Sequence, residues 1–138
     1  MRHTSPWSGT ASPVASSPRD SRYSKGARVS EGFGLVVRFS LRDQEAAKAF
    51  DALCAVTLEG IKGAEPGTLT YMVHVPEGEP LQRVFYELYA DRQAFAAHEA
   101  QPHTRHFLAQ REQYLAGVEV TFLDAITGKR AERTGSVD

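Results

Sequence analysis

The chain has 138 residues, 41% of them hydrophobic and 24% charged, with a formal net charge of −1. That length suits one domain, the balance is that of a globular chain, and no run approaches the roughly 20 apolar residues of a membrane span. The lone cysteine, Cys54, excludes an internal disulfide, offers no thiolate pair to a metal, and fits a reducing cytoplasm.

Charge is uneven along the chain. Arg2, Arg19, Arg22, Lys25 and Arg28 face only Asp20 over residues 1–30, a stretch rich in Ser and Pro with scattered apolar residues. It buries too little surface to offset its ordering entropy, so residues 1–31 are expected to form a disordered basic tail. No apolar core follows Arg2, so a secretory signal is not expected. Dispersed cations make too sparse a footprint to predict a nucleic-acid or membrane partner. Residues 128–138 are expected to be a second flexible tail, which leaves 32–127 as the folded domain.

The first predicted strand is Gly34–Ser40, with Leu35, Val37 and Phe39 on one face. Asp43 then offers an N-cap, and Ala46, Phe50, Leu53, Cys54, Thr57 and Ile61 recur at helical spacing up to Gly63, a residue suited to a left-handed C-cap. Cys54 lies on this apolar stripe and reads as packing rather than as a nucleophile. Pro66 and Gly67 lead into a second strand ending at His74, with Leu69, Tyr71 and Val73 on one face and Thr68, Thr70, Met72 and His74 on the other. A Pro76–Pro80 turn and a third strand, Gln82–Ala90, follow. Asp91 caps a short helix through His98, Pro102 begins another, and Gly117–Ile126 alternates as a last strand.

The order β, α, β, β, α in two pieces, β predicts an α+β ferredoxin-like fold: a four-stranded antiparallel sheet with helices on one face. The opposite face of so small a sheet stays apolar and exposed in a monomer, so a homodimer, a dimeric α/β barrel, is expected.

Polar residues inside apolar patterns are the candidates for chemistry. Glu87 sits in the run VFYELYA and shares a strand face with Phe85 and Tyr89. Facing the helices it is desolvated, and either its pKa rises towards that of a general acid or base, or it is held in a buried ion pair with Arg38 or Arg83. His98, three residues after Phe95, points to the sheet as a core residue or a proton shuttle. Tyr71, Tyr86 and Tyr89 serve equally as core or as site walls. His98, Glu99 and His103 do not make a zinc-protease motif, because the histidines are five apart with Pro102 between them, and His103 with His106 lacks a carboxylate partner. No phosphate loop, nucleophile elbow or CxxC pair is present, so no cofactor and no metal is signalled.

Three segments resemble the antibiotic biosynthesis monooxygenase domain family. Glu65-Pro-Gly-Thr-Leu-Thr-Tyr71 is similar to its E-x-G-x-x-x-Y approach to the second strand. Tyr86-Glu87-Leu88-Tyr89 is similar to its Y/I-E-x-W strand, and Asp91-Arg-Gln-Ala-Phe-Ala-Ala-His98 with Pro102-His103 to its D-x-x-A-x-x-x-H then P-H. The resemblance covers roughly residues 34–125. It implies oxygenation of a small aromatic, quinol or polyketide-type ring with O2, using neither metal nor flavin, in a homodimer. It implies His98 as base or shuttle, Glu87 as its partner, and Tyr71, Tyr89, Phe85, Phe95 and His103 around the substrate. Tyr89 stands where the family often has Trp. The chain has no Asn and its only Trp is Trp7, which sets it apart from the haem-degrading branch. The alternatives within the fold are a non-catalytic dimeric ligand-binding or stress-associated domain and an isomerase of a small phosphorylated ketone.

Overall fold

The computed structural model describes residues 32–129, and the expected N-terminal tail and residues 130–138 lie outside the described part. The elements run β1 (Phe33–Leu41), α1 (Gln44–Ala64), β2 (Thr68–His74), β3 (Gln82–Tyr89), α2 (Arg92–Ala100), α3 (Pro102–Arg111), a 3-10 turn (Glu112–Tyr114) and β4 (Leu115–Asp124). The four strands form one antiparallel sheet in the order β2-β3-β1-β4. β1 and β2 therefore run in the same direction with β3 between them, and α1 is the crossover of a split βαβ unit. The fold is α+β and ferredoxin-like.

Local chemistry places the helices. The Asp43 carboxylate accepts from the backbone N–H of Ala46 at 2.8 Å, and Asp91 does the same for Ala94 at 2.8 Å, each satisfying an otherwise unpaired first-turn donor. Pro102 occupies the first turn of α3. Its ring keeps Gln101 extended, at φ −72° and ψ 145°, so α2 and α3 meet at a corner instead of forming one rod. Gly78, at φ +79°, turns the chain between β2 and β3.

Strand alternation sets the layers. Phe33, Leu35, Val37, Phe39 and Leu41 of β1 point to the helices and are buried, as are Phe85 and Tyr89 of β3. Phe39 packs against Phe50 of α1, Phe85, and Phe107 of α3 at centroid separations of 5.1, 4.7 and 6.3 Å. Arg83 also faces inward. It forks onto both oxygens of Asp51 on α1 at 2.8 and 2.9 Å and donates to the carbonyls of Pro80 and Gln82. On the outer face, Val36, Tyr86 and Met72 stand side by side across three strands, and Met72 is 51% exposed. Among the described residues no helix is long and apolar enough to cross a membrane.

Two local expectations are corrected. Gly63 does not cap α1, which runs on to Ala64 and closes at Glu65, whose N–H reaches the Ile61 carbonyl at 3.2 Å. Pro66 keeps Glu65 out of the helical region, at φ −126° and ψ 77°, so the helix stops without a left-handed residue. In β2 the register shifts between Thr68 and Thr70, with Thr68 opposite Tyr89 and Tyr71 opposite Glu87. Leu69 is the extra, exposed residue of a β-bulge. Thr68, not Leu69, therefore shares the inner face with Tyr71 and Val73.

Candidate active site

Glu87 is fully buried between Phe85 and Tyr89 on the inner face of β3. The Tyr89 hydroxyl donates to its Oε1 at 2.6 Å, while Oε2 is buried without a partner among the described residues. Burial pushes the Glu87 carboxyl up to about 7, against the opposing pull of His98 and of the Tyr89 hydrogen bond. Neither arginine weighed as an ion-pair partner reaches it. Arg83 is held by Asp51, and Arg38 lies on the outer face with Gln82 and Glu79. Burial, followed by the charge of Glu87, raises the phenols of Tyr71 and Tyr89 well above their ordinary range.

His98 points inward from α2, as its spacing from Phe95 predicts, and its side chain is 2% exposed. Its ring lies 5.7 Å from that of Tyr71, 5.3 Å from Tyr89 and 6.3 Å from Phe95. Its hydrogen-bond partner is not Glu87, as the resemblance implied, but Glu65: Nδ1 stands 2.8 Å from Glu65 Oε1. On the other carboxylate oxygen, Oε2, Glu65 receives Nε2 of His103 at 2.5 Å, and the Thr68 hydroxyl donates to Oε1 at 2.7 Å. The Glu65 side chain is only 3% exposed. Burial alone would raise its pKa, yet hydrogen bonds from His98 and Thr68, the charge of His98 and the contact with His103 hold it below the usual value. The two carboxyl groups of this interior are thus displaced in opposite directions.

Arg111 of α3 is buried over the rings of Phe39 and Phe107, 5.5 and 5.9 Å from their centroids. Burial lowers its pKa, with the charges of Glu112, Tyr71 and Glu87 opposing.

The sequence profile of the family described as antibiotic biosynthesis monooxygenase matches residues 33–110. The chain belongs to the antibiotic biosynthesis monooxygenase family. Among solved structures it is similar to a protein of that family name from Bacteroides thetaiotaomicron, at 23% identity and TM-score 0.65 over 74% of this chain and 97% of the other. A protein from Caulobacter crescentus with the same family name is 25% identical, TM-score 0.64, over 71% and 92% of the two chains. Rv0793 from Mycobacterium tuberculosis is 26% identical, TM-score 0.64, over 72% and 100%. No functionally curated protein matches.

The structure gathers Glu87, His98, Tyr71, Tyr89, Phe85 and Phe95 on the interior between sheet and helices. His103 is drawn to Glu65 at the edge of the group. Glu65 was absent from the candidates, although it stands at the head of the first family-like segment. Besides that segment, the sequence marks it only as a carboxylate at a helix end next to Pro66 and Gly67. His106 is exposed on α3 and does not join His103. Cys54 packs against the core and burial raises its thiol to about 12, so it is not a nucleophile. Among the described residues no three His, Cys, Asp or Glu side chains are grouped to hold a metal ion.

Two predictions come from this geometry. Glu87 is protonated in both folded and unfolded chains below its ordinary value of 4.5, and between 4.5 and about 7 only the unfolded chain ionises. Stability therefore falls as pH rises through that window and levels off above it. Glu87→Gln keeps an acceptor for Tyr89 but cannot ionise. Across the window its stability relative to wild type should rise by roughly 3 kcal/mol in urea denaturation, and parallel curves would show that Glu87 ionises freely. The second concerns Gly60 on α1, where an added Cβ would stand within 3 Å of three atoms of His103. Gly60→Ala should destabilise by about 1–2 kcal/mol after a helix-propensity gain of about 1 kcal/mol. Adding His103→Ala removes the two nearest ring atoms and leaves only the Cβ, at 2.9 Å, so the cost of Gly60→Ala should become clearly smaller, and an equal cost in both backgrounds would mean the ring is elsewhere.

Proposed function

We propose that this protein is a cofactor-independent monooxygenase of a small aromatic, a quinol or polyketide-type phenol, using O2. The observation that carries this reading is a buried imidazole, His98, set among Tyr71, Tyr89 and Phe95 beside a carboxyl group, Glu87, displaced towards neutrality with one oxygen left unpartnered. His98 removes a proton from the substrate, and the electron pair stays on the ring as an enolate or phenolate. That anion reduces O2, and the aromatic surroundings keep water from the intermediate. With a ring CH2 as the reacting carbon, one oxygen atom ends in the new carbonyl and the other leaves as water. The substrate supplies all four electrons, so neither metal nor flavin enters the balance.

The buried ion pair of Glu87 with Arg38 or Arg83, which would suit a non-catalytic domain, is not formed, and its hydrogen-bond partner is Tyr89. An isomerase of a phosphorylated ketone would need cationic groups to hold the phosphate, and Arg105, the nearby candidate in the sequence, is exposed on α3. A reducing cytoplasmic setting is part of the proposal and accords with the single thiol. So is a homodimer formed through the outer sheet face, where Met72, Tyr86 and Val36 make an apolar stripe.

Oxygen uptake by metal-stripped protein with a panel of anthrols and hydroquinones tests the reaction. Wild-type uptake should survive chelation and fall by roughly 100-fold or more in His98→Ala. Uptake no faster than buffer across the panel, with folded protein, would remove the oxygenase reading. Sedimentation should give a dimer that Met72→Asp converts to a monomer, and a monomeric wild type would discard the sheet-to-sheet assembly.

A further inference from the structure

We infer that Glu65 is the positioning residue that fixes the tautomer of His98 and makes Nε2 its basic atom. This rests on His98 being the base proposed above.

An ionised carboxylate can only accept hydrogen bonds, and every polar group turned towards Glu65 must present a donor. Three do. Thr68 Oγ1 and His98 Nδ1 share Oε1 at 2.7 and 2.8 Å, and His103 Nε2 takes Oε2. A neutral imidazole carries one ring proton, so a proton held at Nδ1 by Glu65 leaves the lone pair of His98 on Nε2. The Thr104 hydroxyl also faces Nδ1, but at 3.5 Å it is too distant to set the tautomer. No hydrogen bond from a described residue reaches Nε2.

The other groups around the ring are Tyr71 from β2, Glu87 and Tyr89 from β3, and Phe95 from its own helix, with His103 beyond Glu65. Among the described oxygens, Glu65 Oε1 at 2.8 Å is the near partner of the histidine's nitrogens, with Thr104 Oγ1 at 3.5 Å a distant second. When Nε2 takes the substrate proton, the bond from hydrogen to substrate oxygen or carbon breaks and its electron pair stays on the substrate. The imidazolium so formed faces the Glu65 carboxylate, which offsets its charge.

A carboxylate is required here where an amide would not serve. Glutamine offers one carbonyl oxygen and one NH2 group, so it can accept from one imidazole only and must donate to the other or leave it unpaired. The second arm, His103, anchors the carboxylate against rotation from its more exposed position, 16% compared with 2% for His98.

The test is nitrogen-15 NMR of the histidine ring nitrogens in the full chain at about pH 8.5, with oxygen uptake measured on the same samples. Wild type should show His98 protonated at Nδ1 with a lone pair on Nε2. Glu65→Gln should move part or all of that proton to Nε2 and lower kcat by about 100-fold with KM little changed. Glu65→Asp should keep the wild-type tautomer and recover at least roughly a tenth of the rate. A wild-type His98 protonated at Nε2, or still doubly protonated at that pH, overturns the assignment, as does a Glu65→Gln variant with an unaltered tautomer. The wild-type measurement decides even if Glu65→Gln does not fold. The expected tautomers in protein that consumes no oxygen support the assignment of Glu65 while sinking the oxygenase reading alone.

Discussion

The Glu65 carboxylate is the constraint on which the interior depends. It leaves the chain where α1 ends and β2 has yet to begin, and it takes donors from β2 through Thr68, from α2 through His98 and from α3 through His103. A charge this deeply buried is costly unless each lone pair finds a partner. Its presence therefore demands that three segments arrive together with their donors aligned. Glu87, in the same interior, has one donor, Tyr89, and one oxygen without a described partner. Glu87 is the more deeply buried and the less hydrogen-bonded of the two, and both differences send the carboxyl groups to opposite sides of their ordinary value.

The β-bulge at Leu69 serves this arrangement directly. Regular alternation would place Thr68 and Tyr71 on opposite faces of β2. The extra residue turns both inward, Thr68 opposite Tyr89 and Tyr71 opposite Glu87. One irregularity thus supplies a donor to the Glu65 carboxylate and an aromatic wall to His98. The corner at Gln101 is its counterpart on the helical layer. A continuous helix would separate residues five apart by roughly 140° around its axis, whereas the Pro102 break lets His98 and His103 meet the same carboxylate.

Residue spacing made most of the fold legible. Alternation in β1 and β3, the caps at Asp43 and Asp91, and Pro102 at a helix start are each local, and all appear where they were expected. Inward placement of Glu87 and His98 followed from Phe85, Tyr89 and Phe95 for the same reason. The pairing of those two residues did not follow, because hydrogen-bond partners across elements depend on how α2 sits on the sheet, which no periodicity encodes. Glu65 stands out in sequence only at the head of a family-like segment, and the convergence of two helices and a bulged strand is what buries it. Thr68-Leu-Thr-Tyr71 alternates well enough on paper to hide the bulge.

Stability alone does not account for Glu87. Its carboxyl is held where ionisation near neutral pH works against the folded state, and a glutamine or a leucine in that position would avoid the penalty. The surrounding phenylalanines and tyrosines need no acid to pack, and Tyr89 needs only an acceptor. A carboxyl that can change its protonation state near pH 7, with one oxygen open, is a group suited to exchanging a proton with whatever lies beside it. Glu65 is different: its donors favour the charge, and removing one of them leaves the rest of an ionic network buried. Under the proposed function the first carboxyl is explained by a ligand and the second by its neighbours, with the reactive edge of this interior at Glu87 and Nε2 of His98 and its support at Glu65.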